Sequence, residues 1–152
     1  MNKDGKPGLK RLERLFRIRE TYVSVAEASV KHAEGELHGL QAAHSEVAGK
    51  IESTRAGIAY LQTATGHDLQ TGEKYIQVLQ KQHRLIQQSL EKATGSLEQR
   101  RREWTEAMRE QKIIEKMQER RLHQWERDDN VANQKRQDDV SVGRHVWKRL
   151  NP

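Results

Sequence analysis

The sequence has no cysteine, two prolines, a single phenylalanine and no long apolar run, and each absence removes a class of protein. Without cysteine there is no disulfide framework, no thiolate metal site and no cysteine nucleophile. No apolar stretch approaches the ~18 residues of a transmembrane helix, and the start MNKDGKPGLKRLERLF lacks the apolar core of a signal peptide. The expected compartment is therefore the cytoplasm. Proline stands only at Pro7 and Pro152, so the strongest helix breaker is missing from everything between them. Hydrophobic residues are 34% of the 152, against roughly 45–50% in an ordinary globular domain, while charged residues reach 33%. That balance excludes a thick, rounded core. It leaves either disorder or long helices that bury one narrow stripe, and regular spacing separates the two.

The spacing is regular. Alternating steps of three and four residues from Leu9 visit Leu9, Leu12, Phe16, Arg19, Val23, Ala26, Val30, Ala33, Leu37, Leu40, His44, Val47, Ile51, Thr54, Ile58 and Leu61. Only Arg19, His44 and Thr54 are polar. A 3.5-residue repeat keeps one face turned to a partner helix, which is the requirement for supercoiled helices. Thr63 to Asp68 interrupts the pattern, with Gly66 suited to a left-handed cap and Asp68 to the N-cap of a second helix. A second seam then runs through Leu69, Gly72, Ile76, Leu79, His83, Ile86, Leu90, Ala93, Leu97, Arg100, Trp104, Ala107, Gln111 and Ile114. After Ile114 the steps Gln118, Leu122 and Trp125 read as a stutter that loosens the supercoil.

The expected fold is all-α: a single-domain, antiparallel two-helix coiled-coil hairpin forming a monomeric rod. Helix one covers about 9–63, the tip 64–68, helix two about 68–136, and a basic tail 137–152 is expected to fray. At 1.5 Å per residue the helices are roughly 80 and 100 Å long, so the second overhangs.

Charge is distributed unevenly along this hairpin. Residues 1–20 carry seven basic and three acidic side chains, 21–98 seven and nine, and 99–152 fourteen and ten. Folding back at the centre brings the two positive ends to one pole.

Candidate chemistry is sparse. The seven histidines form no i, i+4 pair with one another, and no acidic residue completes a recognisable metal-ligand motif with them, so neither metal nor cofactor is expected. His44 and His83 fall on opposite seams, where a facing polar pair sets register. No Gly-rich phosphate loop exists, and two paired helices offer no water-excluding pocket, so the chain is not expected to be an enzyme. Arg100-Arg101-Arg102 is the best nucleic-acid candidate. Interleaved Glu98, Glu103, Glu106 and Glu110 stand at helical pairing distance, so nucleic acid is not an expected partner. The first 25 residues place Leu9, Leu12, Leu15, Phe16 and Ile18 among basic residues, as a membrane-surface helix would, but the seam claims these apolar positions.

Four stretches are distinctive: Leu12, Leu15, Arg19 and Glu20 near the start, Tyr75-Ile76-Gln77-Val78-Leu79 after the turn, Lys112-Ile113-Ile114-Glu115-Lys116-Met117-Gln118-Glu119-Arg120-Arg121 further on, and then Gln134-Lys135-Arg136-Gln137-Asp138-Asp139. Together they resemble the FliJ family of flagellar type III export chaperones and ATPase stalk proteins, with Met117 and Asp139 standing where the family usually has Leu and Glu. The resemblance implies a stalk inserted into a hexameric ring of the export ATPase FliI and touching the export gate protein FlhA. Substrate-specific export chaperones are further implied partners, and membrane association would be peripheral, through the apparatus at the flagellar base. It implies ATPase contacts by Arg11, Arg14, Arg17, Lys112, Lys116, Arg120 and Arg121, and gate contacts by Tyr75 and Leu79. The same hairpin serves virulence type III secretion, and a structural spacer is the alternative outside secretion.

Overall fold

The computed structural model describes residues 5–60 and 65–152, with side chains from residue 8 onward. Two long helices, α1 (Gly5–Tyr60) and α2 (Gly66–Leu150), pack against each other as an antiparallel hairpin, and no strand occurs among the described residues. The expected end of helix one at 61–63 and the tip residue 64 lie outside the described residues. Pro7 sits inside the first turn of α1, where its missing N–H would have no intrahelical acceptor in any case.

The start of α2 differs from the expectation. Gly66 is its first helical residue, and no described glycine has a positive φ. Thr65 is the cap instead. Its Oγ1 accepts the Asp68 N–H at 3.3 Å, while the Asp68 carboxylate accepts the Thr65 N–H at 3.2 Å. This reciprocal pairing is a capping box with aspartate in the place of glutamate. The two hydrogen bonds from Thr65 hold the Asp68 carboxyl below the ordinary aspartate range. A helix whose first donors are satisfied in this way has no need of a left-handed entry.

The far end of α2 also differs. It stays helical through 137–150, where fraying was expected, although every side chain from Asn133 to Pro152 is exposed. Lys148 and Arg149 in the last turn face the negative end of the helix dipole. Pro152 then disfavours a helical Asn151, which fixes the stop.

The chain divides into two compact units. The turn unit, Val25–Thr105, holds two apolar clusters: Val30, Ala33 and Leu97 with Leu37 and Trp104, and Val47, Ile51 and Leu79 with Ile86. Facing residues descend on α2 as they ascend on α1, which is the antiparallel register. Near the turn, Gly72 lets Ile58 approach closely, since a Cβ at Gly72 would lie 2.7 Å from Ile58 Cδ1. His44 and His83 meet across the pair with ring centroids 4.1 Å apart, as their seam positions require.

In the terminal unit, Met1–Ser24 with Glu106–Pro152, Leu12 is the buried apolar residue among those described. At the expected stutter, Gln118 and Trp125 are half-buried, whereas Leu122 between them is 45% exposed. Beyond it Asp129 and Ala132 are half-buried and Asp128 is exposed, which is the spacing that a stutter leaves.

Candidate functional site

Among the described residues no cluster of His, Asp and Glu could hold a metal ion, and Asp68 is the one titratable group clearly shifted from its ordinary value. No described helix is long and apolar enough to cross a membrane.

Arg100 and Arg101, the best candidates for phosphate contact, are used inside the turn unit. Arg100 donates to Ser29 Oγ at 2.6 Å, and Arg101 pairs with Glu34 at 3.1 Å. The pairing expected along the helix runs across the hairpin instead. The nearby Glu98 and Glu103 are not needed for it.

The terminal unit brings together the residues whose role the resemblance implied. Arg11, Arg14 and Arg17 on α1 and Lys112, Lys116, Arg120 and Arg121 on α2 all belong to it, and all are exposed. Arg17 is tied to Glu13 at 2.9 Å. The two gate candidates separate. Tyr75 is 49% exposed, but Leu79 is 3% exposed in the cluster with Val47 and Ile51. A partner cannot reach the Leu79 side chain without opening the hairpin, whereas the Tyr75 ring is open to one.

Sequence reasoning missed one feature of the terminal unit. Leu15, Ile18 and Tyr22 were assigned to the seam, or passed over, yet they are 40%, 51% and 58% exposed. Leu9, Leu12 and Phe16 are the residues that the seam takes, half-buried or buried. Leu15, Ile18 and Tyr22 each fall one residue before a seam position, about 100° round the helix from it. Ile113 and Met117 stand one residue before the α2 seam and are also exposed. The signal that would have found them is a second three-four spacing running one step behind the first.

These residues share an edge. Arg19 pairs with Glu110, itself one residue before the α2 seam, and its guanidinium lies 5.8 Å from the Tyr22 ring centroid. The opposite edge carries Glu13, Glu20 and Glu115, one residue after the seams, beside a shallow groove between Leu9 and Leu122. That opposite edge also carries Arg17 and Lys112, and the edge of Leu15 and Ile18 also carries Glu106 and Glu110, so each edge mixes charges.

Fold and sequence pattern together define an all-α, two-helix coiled-coil protein. Residues 9–149 match the family described as Flagellar FliJ protein. The match covers nearly the whole chain, and the chain belongs to that family, which associates it with flagellar export. No curated protein and no solved structure gave a match.

Proposed function

We propose that this chain works in flagellar protein export as a non-catalytic stalk and chaperone, binding the export ATPase FliI through its terminal unit and the export gate FlhA near Tyr75. One observation carries the reading: exposed Arg11, Arg14 and Arg17 gather with Lys112, Lys116, Arg120 and Arg121 in one unit of a chain matched to the family over 9–149. Basic side chains held on two paired helices present fixed charge to an acidic partner surface at little further cost in backbone entropy. Tyr75 offers a large, rigid contact on the turn unit. Work at the cytoplasmic face of the membrane would follow from these partners.

The test is direct. Purified chain should raise the ATPase activity of the cognate FliI, and reversing Arg11, Arg14, Lys116 and Arg120 to Glu should abolish that rise. Tyr75→Ala should weaken FlhA binding and leave the stimulation unchanged. A wild-type chain that neither stimulates FliI nor binds FlhA would sink the proposal.

A further inference from the structure

The apolar edge of the terminal unit has the pattern of half an interface. Leu15, Ile18 and Tyr22 on α1 repeat at steps of three and four, and Ile113 and Met117 on α2 stand one step of four apart. That is the spacing into which the side chains of one more helix fit, as knobs into holes. Exposed large apolar residues gathered on one edge of a water-facing surface mark an interaction site.

The rim says what kind of helix. Arg11 and Arg14 border the edge on α1, Lys116 and Arg120 border it on α2, and none has an ion-pair partner among the described residues. The acids on this side are already engaged, Glu110 by Arg19 and Glu106 by Arg109 at 3.2 Å. We propose that this edge is a docking surface for one acidic amphipathic α-helix of a partner protein, laid along the hairpin as a third coiled-coil strand. Its apolar stripe covers Leu15, Ile18, Tyr22, Ile113 and Met117, and its flanking carboxylates meet the four basic residues. A second copy of this chain is the poorer occupant, because its own terminal unit would bring the same basic rim against this one. The inference stands on this surface alone and goes beyond the ATPase reading, since it fixes the chemistry of the bound segment whatever protein supplies it.

The experiment uses the full chain and a designed peptide probe about three heptads long, with Leu at the seam positions and Glu at the flanking ones. A control peptide carries Lys in place of Glu. The acidic peptide should bind with affinity that weakens as salt rises, and the basic one should bind at least ~10-fold more weakly. Ile18→Asp combined with Ile113→Asp should reduce binding of the acidic peptide by at least ~10-fold. Arg14→Glu combined with Lys116→Glu should reduce it several-fold without touching an apolar residue, which keeps the test decisive if the first variant loses helix content. Leu122→Asp, on the opposite edge, should leave binding unchanged. Equal binding of the two peptides, or equal loss from Leu122→Asp, overturns the proposal. So does a concentration-dependent dimer in sedimentation that Ile18→Asp dissociates, since the edge would then be covered by a second copy. None of these readings involves an ATPase, so their failure is distinct from failure of the proposed function.

Discussion

The turn unit and the terminal unit are built from the same two helices and divide the work between them. In the turn unit the seam residues Val30, Ala33, Val47, Ile51, Leu79 and Leu97 are buried, whereas in the terminal unit Leu12 is the buried apolar residue among those described. The terminal seam is interrupted by Arg19, Gln111 and Gln118. Its large apolar residues Leu15, Ile18, Tyr22, Ile113 and Met117 face water. Burial of about 25 cal/mol per Å² of apolar surface stabilises the first arrangement, and the second leaves that area in water. The comparison teaches that one heptad repeat can bury its large apolar residues over one stretch and present them to solvent over another.

The sharpest way to break the comparison is to empty one site in each unit. Leu79→Ala removes a side chain packed between Val47 and Ile51, and a core truncation of this kind costs about 2–5 kcal/mol. Leu15→Ala removes one that is 40% exposed, and a substitution outside the core should stay within about 0.5 kcal/mol. Thermal unfolding followed by circular dichroism should show a large fall in Tm for the first and almost none for the second. Equal falls would mean that the terminal edge is structural, and would withdraw it as a recognition surface.

A smaller effect belongs to the turn. Thr65→Ala deletes the cap of α2 and should cost about 1 kcal/mol, with Gly66 and His67 the first residues to lose protection in hydrogen exchange. The pH dependence has a definite sign. Hydrogen bonds from Thr65 depress the folded-state pKa of Asp68, so this carboxylate stabilises the fold fully above the ordinary aspartate pKa of about 3.9. That contribution disappears as pH falls through the lower folded value. Asp68→Asn should therefore lower Tm at neutral pH and make less difference in strong acid. A difference that grows in acid would contradict the capping box.

Much of the fold could be read from spacing because a coiled coil is a one-dimensional problem. From Leu9 to Ile58 each α1 seam position is buried or half-buried, as are those of α2 from Gly72 to Ile114. Leu69 is the departure, exposed next to the turn. The facing pair of His44 and His83 could be anticipated for the same reason. What spacing could not settle lay at the ends and edges of the helices. Gly66 and Asp68 are both ordinary turn residues, and only the hydrogen bonds show that Thr65 is the cap. Leu122 looked like a seam residue because leucine outranks Arg121 in hydrophobicity, yet both are exposed, and the half-buried positions resume at Trp125. The apolar edge was hidden by proximity, since Leu15 adjoins Phe16 and Ile18 adjoins Arg19 in the chain. As to the site, the resemblance supplied the basic residues, and the structure separated Tyr75, which a partner can touch, from Leu79, which it cannot.

The smallest expected effect concerns the polar interruption in the terminal seam. Arg19 and Glu110 form an ion pair, but their side chains are 39% and 41% exposed, so water screens most of the attraction. A double-mutant cycle with Arg19→Ala and Glu110→Ala should give a coupling below about 1 kcal/mol, falling further as salt is added. Arg19→Leu restores an apolar seam position and should leave Tm unchanged or slightly higher, because a buried methylene can offset a screened pair. The same substitution frees Glu110 and removes the guanidinium beside Tyr22, placing an unpaired acid on the apolar edge. It should therefore weaken capture of the acidic peptide several-fold while stability holds. Stability and binding would then move in different directions at one residue, which is the division between the two units reproduced within a single seam. If Arg19→Leu instead lowers Tm by as much as Leu79→Ala, the pair is a structural clasp, and the terminal unit is built on the same principle as the turn unit.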